Sequence, residues 1–192
     1  MPSRAVCCYP AAPELIRAQT ALIRPALNEA LDEAQSKTKT AGRPRLLFSA
    51  HGLPEKVIAR GDPYQWQVER TSEAIAGALG LADADWTVCY QSRVGPLKWI
   101  GPSIADELRR AGKDRVAVVV VPIAFVSEHS ETLVELDIQY RDMAHDENVP
   151  AYIRVPALGV QDDFISGLAR PGMLCEVQAF AAAPAKLEEP VV

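Results

Sequence analysis

Three short stretches of this chain carry side chains that can do chemistry. The first is His51, which directly follows the apolar run 45–50 (RLLFSA) and precedes Gly52-Leu53-Pro54. An imidazole with an ordinary pKa of about 6.5 takes up a proton or binds a metal near neutral pH. Gly52 beside it permits a sharp turn or a close approach. The competing reading is a structural histidine bonded to loop backbone. The second stretch is 127–135 (SEHSETLVE). On a helix Glu128, Glu131 and Glu135 fall at i, i+3 and i+7 and share one face. Together with His129 they form a donor set suited to a divalent cation. The same residues also suit an acidic helix start, with Ser127 as cap and the macrodipole favouring the carboxylates. The third is the Gly- and Pro-rich loop after residue 91, where Lys98 and Trp99 stand together. Trp99 either stacks on a flat ligand or plugs the core. His145, between Asp142 and Asp146, reads as structural.

These residues need a frame. Residues 4–9 (RAVCCY) form a short β-prone run. A helical period of apolar residues covers 13–35, with Pro25 inside it, where a kink or break is expected. Further strands are expected at 45–50, 86–91 (WTVCYQ), 115–121 (RVAVVVV) and 152–155. Helices are expected at 64–79, closed by Gly80, then at 103–111, 128–146 and 162–169. The run 115–121 has no polar alternation, as befits a strand covered on both faces of a parallel sheet. Strands alternate with helices across short connections, so the expected fold class is α/β: a three-layer parallel sheet with helices on both faces. In such sheets active residues stand past the carboxyl ends of strands. His51 and the 127–135 stretch both meet that rule.

Composition narrows the classes. The chain has 192 residues and a net charge of -5. With no basic cluster to neutralise phosphates, no nucleic-acid partner is expected. No apolar stretch approaches the roughly 20 residues of a membrane span, so membrane association is expected to be peripheral at most. No basic stretch followed by a long apolar one opens the sequence, so no secretory signal and a cytoplasmic location are expected. Cys7, Cys8, Cys89 and Cys175 match no zinc or iron–sulfur spacing, and Cys89 reads as a small buried hydrophobe. No phosphate-binding glycine loop is present. Residues 1–169 read as the folded unit, and 170–192 as a poorly ordered tail.

In combination the motifs resemble the ferrochelatase family. They are 46–54 (LLFSAHGLP), 60–64 (RGDPY), 91–96 (QSRVGP) with 99–102 (WIGP), and 122–129 (PIAFVSEH). The last runs into Glu131-Thr132-Leu133 and Glu135-Leu136-Asp137. The resemblance covers residues 3–169 in the family's order and spacing. It implies a lyase of haem biosynthesis that inserts ferrous iron into a porphyrin, protoporphyrin IX or coproporphyrin, without a redox cofactor. His51 matches the family's strand-end histidine and Glu131 the glutamate facing it, as metal ligands or acceptors of the pyrrole protons. Glu128, His129 and Glu135 match a polar metal or proton path, and Trp99 an aromatic of the porphyrin cleft. Some members carry a cysteine-ligated iron–sulfur cluster. Cys175 stands alone here, and no cluster is expected.

Full members of the family have two similar lobes, and this chain resembles the carboxyl-terminal one. The resemblance therefore implies a missing amino-terminal lobe as partner, or a second copy that rebuilds the cleft. A metal- or porphyrin-binding module without turnover, and a flavodoxin-like domain with structural His51 and Glu131, are the other readings.

Overall fold

The computed structural model describes residues 8–38, 42–81 and 86–169. Its centre is a parallel sheet of β1 (Arg45–His51), β2 (Trp86–Gln91), β3 (Val118–Pro122) and β4 (Tyr152–Arg154), in the order β2-β1-β3-β4. The two central strands are buried along almost their whole length, which is why they read as unbroken apolar runs.

Alternate side chains divide the core. Leu46, Phe48, Ala50, Val119 and Val121 pack against α1 (Pro13–Lys37) and α3 (Tyr64–Leu79) through Ile23, Ala26, Ala30, Val68 and Ile75. Leu47, Cys89, Val118 and Val120 face the other way. They meet α4 (Ile104–Asp114), a π-helix (Glu131–Gln139) and α5 (Tyr140–Asp146) through Ile104, Leu108, Leu136 and Ala144. The short α2 (Glu55–Ile58) follows β1, and α6 (Asp162–Leu168) packs on α1 through Phe164 and Ala18. The expected three layers are present. Cys89 is fully buried, and burial pushes its thiol pKa up.

β1 has β2 on one side and β3 on the other, and the two following connections leave on opposite faces. The chain therefore opens a crevice at the carboxyl ends of β1 and β3, where α/β sheets place their ligands.

Several boundaries differ from expectation. α1 continues unbroken through Pro25. The proline lies on the exposed side, where the carbonyl it leaves unbonded is open to water, while Ile23, Ala26, Ala30 and Ala34 hold the opposite side on the core. β3 begins at Val118, because Arg115 takes a left-handed conformation (φ 54°) that closes α4. The helix expected from residue 128 begins only at Glu131, and its first nine residues wind as a π-helix. Ser127 is not its cap. Glu128 is bound elsewhere, and the His129 N–H instead donates to Thr132 Oγ1 at 3.0 Å. The expected first strand lies mostly outside the described residues, and Cys8 and Tyr9 are not in a strand. The stretch 170–192 also lies outside them. Among the described residues, no helix is long and apolar enough to cross a membrane.

Candidate functional site

His51 ends β1 with its side chain on the face of the sheet that carries the π-helix, the parity shared with Leu47 and Ser49. Its Nδ1 lies 2.7 Å from the Gly52 carbonyl oxygen. A carbonyl only accepts, so Nδ1 carries the proton and Nε2 of the neutral ring presents a lone pair. That Nε2 lies 3.7 Å from Glu131 Oε1. The gap is too long for a hydrogen bond. It is wide enough for both atoms to reach one divalent ion at ligand distances of about 2.0–2.2 Å. Both side chains are about a third exposed (39% and 33%), so the pair is open to a substrate.

Backbone geometry holds the histidine in place. The Gly52 N–H donates to the Gln91 carbonyl at 2.8 Å, tying the end of β1 to the end of β2. A Cβ on Gly52 would lie 3.0 Å from that carbonyl oxygen and 3.4 Å from the Trp99 ring. Only glycine fits there without a shift. Trp99 pairs through its backbone with Pro54, folding the loop back over the residues that follow His51. The indole is half-buried, and its N–H finds no hydrogen-bond partner among the described residues.

A buried polar chain positions the glutamate. Ser49 Oγ donates to Gln91 Oε1 at 2.7 Å, and Gln91 Nε2 donates to the Glu131 carbonyl oxygen at 2.7 Å. Gln91 Nε2 also reaches Glu135 Oε2 at 3.3 Å, and Ser92 Oγ donates to the Glu135 carboxylate at 2.8 Å. Ser49 and Gln91 are fully buried, so each unmade bond here would carry a desolvation cost. These bonds fix the first turn of the π-helix against the carboxyl ends of β1 and β2. Glu135 lies behind Glu131, anchored by Ser92 and Gln91.

Not every expected site residue joins this group. Glu128 turns away from His51. Its carboxylate accepts from Arg154 Nη1 at 2.6 Å and from the Ala157 N–H at 2.8 Å. Burial opposes its ionisation, but hydrogen bonds from Thr132, the Ala157 N–H and Arg154 outweigh that and hold its pKa below the ordinary value. The expected helix face of Glu128, Glu131 and Glu135 is therefore corrected, since Glu128 lies outside the helix. His129 Nδ1 accepts from the Glu131 N–H at 3.1 Å, and its ring meets Phe125 edge-on at 4.9 Å. It braces the backbone of Glu131 and does not join His51. Among the described residues, no three His, Cys, Asp or Glu side chains gather as a metal-binding group. The His51–Glu131 pair presents two ligand-type atoms, Nε2 and Oε1, toward each other. His145 is almost fully exposed beside Asp146, far from the site in the fold.

Gln91, Ser92 and Tyr64 were not anticipated. Burial pushes the Tyr64 phenol up to about 12, against a hydrogen bond with the His51 backbone and with the charge of Glu131 adding to the rise. Tyr64 is thus a neutral hydroxyl beside the pair. It also walls an apolar cleft of about 290 Å³ with Tyr9, Leu15, Val68, Ile123 and Val126. Signals for these residues existed. Gln91-Ser92 ends an apolar strand just as His51 does, and Asp62 accepts from the Tyr64 N–H at 2.9 Å to start α3 after a Gly-Asp-Pro turn.

Known proteins similar to this chain point to one family. The family model for ferrochelatase matches residues 1–171. A ferrochelatase of Caulobacter vibrioides is 56% identical over 163 residues, covering 85% of this chain and 44% of the relative. Ferrochelatases of Phenylobacterium zucineum and Pelagibacter ubique are 51% and 50% identical, covering 89% and 85% of this chain and 47% and 44% of their own lengths. The chain thus spans a little under half the length of the curated relatives it matches. With the strand-end histidine, its facing glutamate and the α/β sheet in place, the chain belongs to the ferrochelatase family.

Proposed function

We propose that this chain supplies the metal-handling half of an enzyme that inserts ferrous iron into a porphyrin in haem biosynthesis. The observation that carries the proposal is the open His51–Glu131 pair, with Nε2 and Oε1 3.7 Å apart at the crevice of the sheet. Iron is here the substrate, and the reaction needs no change in its oxidation state. The porphyrin gives up two pyrrole protons as four nitrogens take the ion. The Nε2 lone pair of His51, kept free by the Nδ1 bond to Gly52, accepts a proton as a general base. The Glu131 carboxylate takes the second proton or holds the ion until transfer, since carboxylate and imidazole both ligate divalent metals. Tyr64 and the apolar cleft beside it offer a surface to the macrocycle. Trp99, whose ring lies against Gly52, supplies a flat aromatic face beside the histidine. His129 braces the Glu131 backbone, and Glu135, held by Gln91 and Ser92, continues the polar path beyond it.

Residues 1–169 act as one lobe, and the segment of the relatives that this chain does not match supplies the other wall of the cleft. The site of action is the cytoplasm, with protoporphyrin IX or coproporphyrin as substrate.

The test is to purify the chain with the unmatched amino-terminal part of the Caulobacter vibrioides relative and follow ferrous or zinc insertion by porphyrin absorbance. Insertion that is lost in His51→Ala supports the proposal. Insertion that persists in that variant overturns the role of His51. Activity of the chain alone that rises with the square of its concentration would instead assign the second wall to another copy.

A further inference from the structure

Arg154 lies outside the working pair, yet it is the best-connected side chain near it. It closes β4 with only 10% of its side chain exposed. Its guanidinium donates from Nε to Asp137 Oδ1 at 2.9 Å and from Nη2 to Asp137 Oδ2, a two-pronged bond of the kind a guanidinium makes and an ammonium does not. Nη1 donates to Glu128 Oε1 at 2.6 Å, and that same oxygen accepts the Ala157 N–H at 2.8 Å. One cation therefore binds two carboxylates that bracket the segment bearing Glu131 and Glu135.

Glu128 precedes the π-helix, and Asp137 lies in its second half. From Glu131 onward the chain winds as a π-helix, whose i→i+5 hydrogen bonds give a wider turn than that of an α-helix and one that is uncommon without a constraint. An α-helical winding of the same residues would turn Asp137 further around the axis and away from Glu128. In the wide winding Arg154 holds both carboxylates at once. Neighbouring contacts reinforce the outer end: Tyr152 Oη donates to the Leu136 carbonyl at 2.8 Å, and Arg141 Nε donates to the Asp137 carbonyl at 3.1 Å. None of them reaches the entry loop. Thr132 and the Glu131 N–H tie the loop to the first turn of the helix through Glu128 and His129, and Arg154 adds the link from the loop to the second half of the helix.

The geometry points to Arg154 as a positioning residue: by clamping Glu128 and Asp137 it fixes the winding of the π-helix and so sets Glu131 opposite His51. This rests on the reading of His51 and Glu131 as the working pair, but its test needs no turnover. The full chain, labelled with 15N, is compared with Arg154→Met, which keeps length and loses charge, and with Asp137→Asn, Glu131→Gln and the double variant Arg154→Met with Glu131→Gln. The expected result in Arg154→Met is amide exchange across residues 131–139 that is roughly tenfold or more faster, because a carboxylate is left without its buried partner. Exchange in β1 and β3 should change far less. The His51 ring nitrogen signals should move as they do in Glu131→Gln, and the double variant should move them no further. Arg154→Met that melts earlier but leaves the His51 signals and the 131–139 exchange at native values would show a purely structural brace and overturn the inference. If Arg154→Met does not fold, Asp137→Asn decides on the same two observables. Should His51→Ala retain insertion activity while these signals behave as expected, the proposed function falls and the clamp stands.

Discussion

Two groups of ionisable side chains flank the same helix and have opposite characters. Around Arg154 every carboxylate is committed: Glu128 and Asp137 are both bonded to the guanidinium, and Glu128 takes a backbone N–H as well. At His51 the reverse holds. Nε2 and Glu131 Oε1 face each other at 3.7 Å without a hydrogen bond and stay open to solvent. Residue types alone do not separate the groups, since Glu128 and Glu131 are three positions apart. A carboxylate with its donors already supplied can hold structure but has little left for a metal or a proton. One whose backbone is anchored while its oxygens stay open can do chemistry. In this molecule Gln91 grips the Glu131 carbonyl and leaves the carboxylate open.

The contrast can be broken most sharply at His51. His51→Ala should lower metal insertion in the reconstituted assay by at least about a hundredfold, the scale of a lost general base. Its thermal melt should stay close to native. A large loss of stability with activity retained would make His51 a structural residue like Arg154. Arg154→Met should show the opposite profile. Urea unfolding should reveal a loss of about 1–3 kcal/mol, below that of a fully buried pair because Glu128 and Asp137 are partly exposed. Gln91→Leu should cost about 1–2 kcal/mol on the same measurement, since the Ser49 hydroxyl and the Glu131 carbonyl both lose a buried partner. Unlike Arg154→Met, it should also free Glu135 from one of its donors.

The smallest effect is in acid. The Glu128 carboxyl is held below its ordinary value of 4.5. A lowered folded-state pKa gives stability that is fully present above about 4.5 and is lost as pH falls through the folded value. Urea midpoints followed downward from pH 6 should therefore fall less steeply in Glu128→Gln than in the native chain. Equal slopes would mean that the Arg154 group does not hold Glu128 as described.

Much of the frame was legible in the residues. The unbroken apolar runs of β1 and β3 announced buried parallel strands, and α3 and β2 have the expected bounds because their ends carry strong local signals. Gly80 takes the left-handed cap conformation (φ 67°) after α3, and Gln91 ends the apolar run of β2. His51 was legible by the same logic, as a reactive side chain at a strand's carboxyl end. The helix expected at 128–146 differs at its start. Its periodicity is compatible with an α-helix, and the pull of Arg154 on Glu128 comes from a residue 26 positions away. Gln91 is silent in the sequence because an amide at a strand end has no special signature until Ser49 and Glu131 are brought to it.

By itself, then, the sequence determined the three layers and the parallel sheet, because these depend on local periodicity, while it was the resemblance of its motifs to the family that singled out His51 and Glu131 as candidates. Tertiary structure alone decided which glutamate stays open, how the π-helix winds and which amide aims Glu131 at His51. Those outcomes depend on donors from β1, β2 and β4 that converge only after the strands have paired.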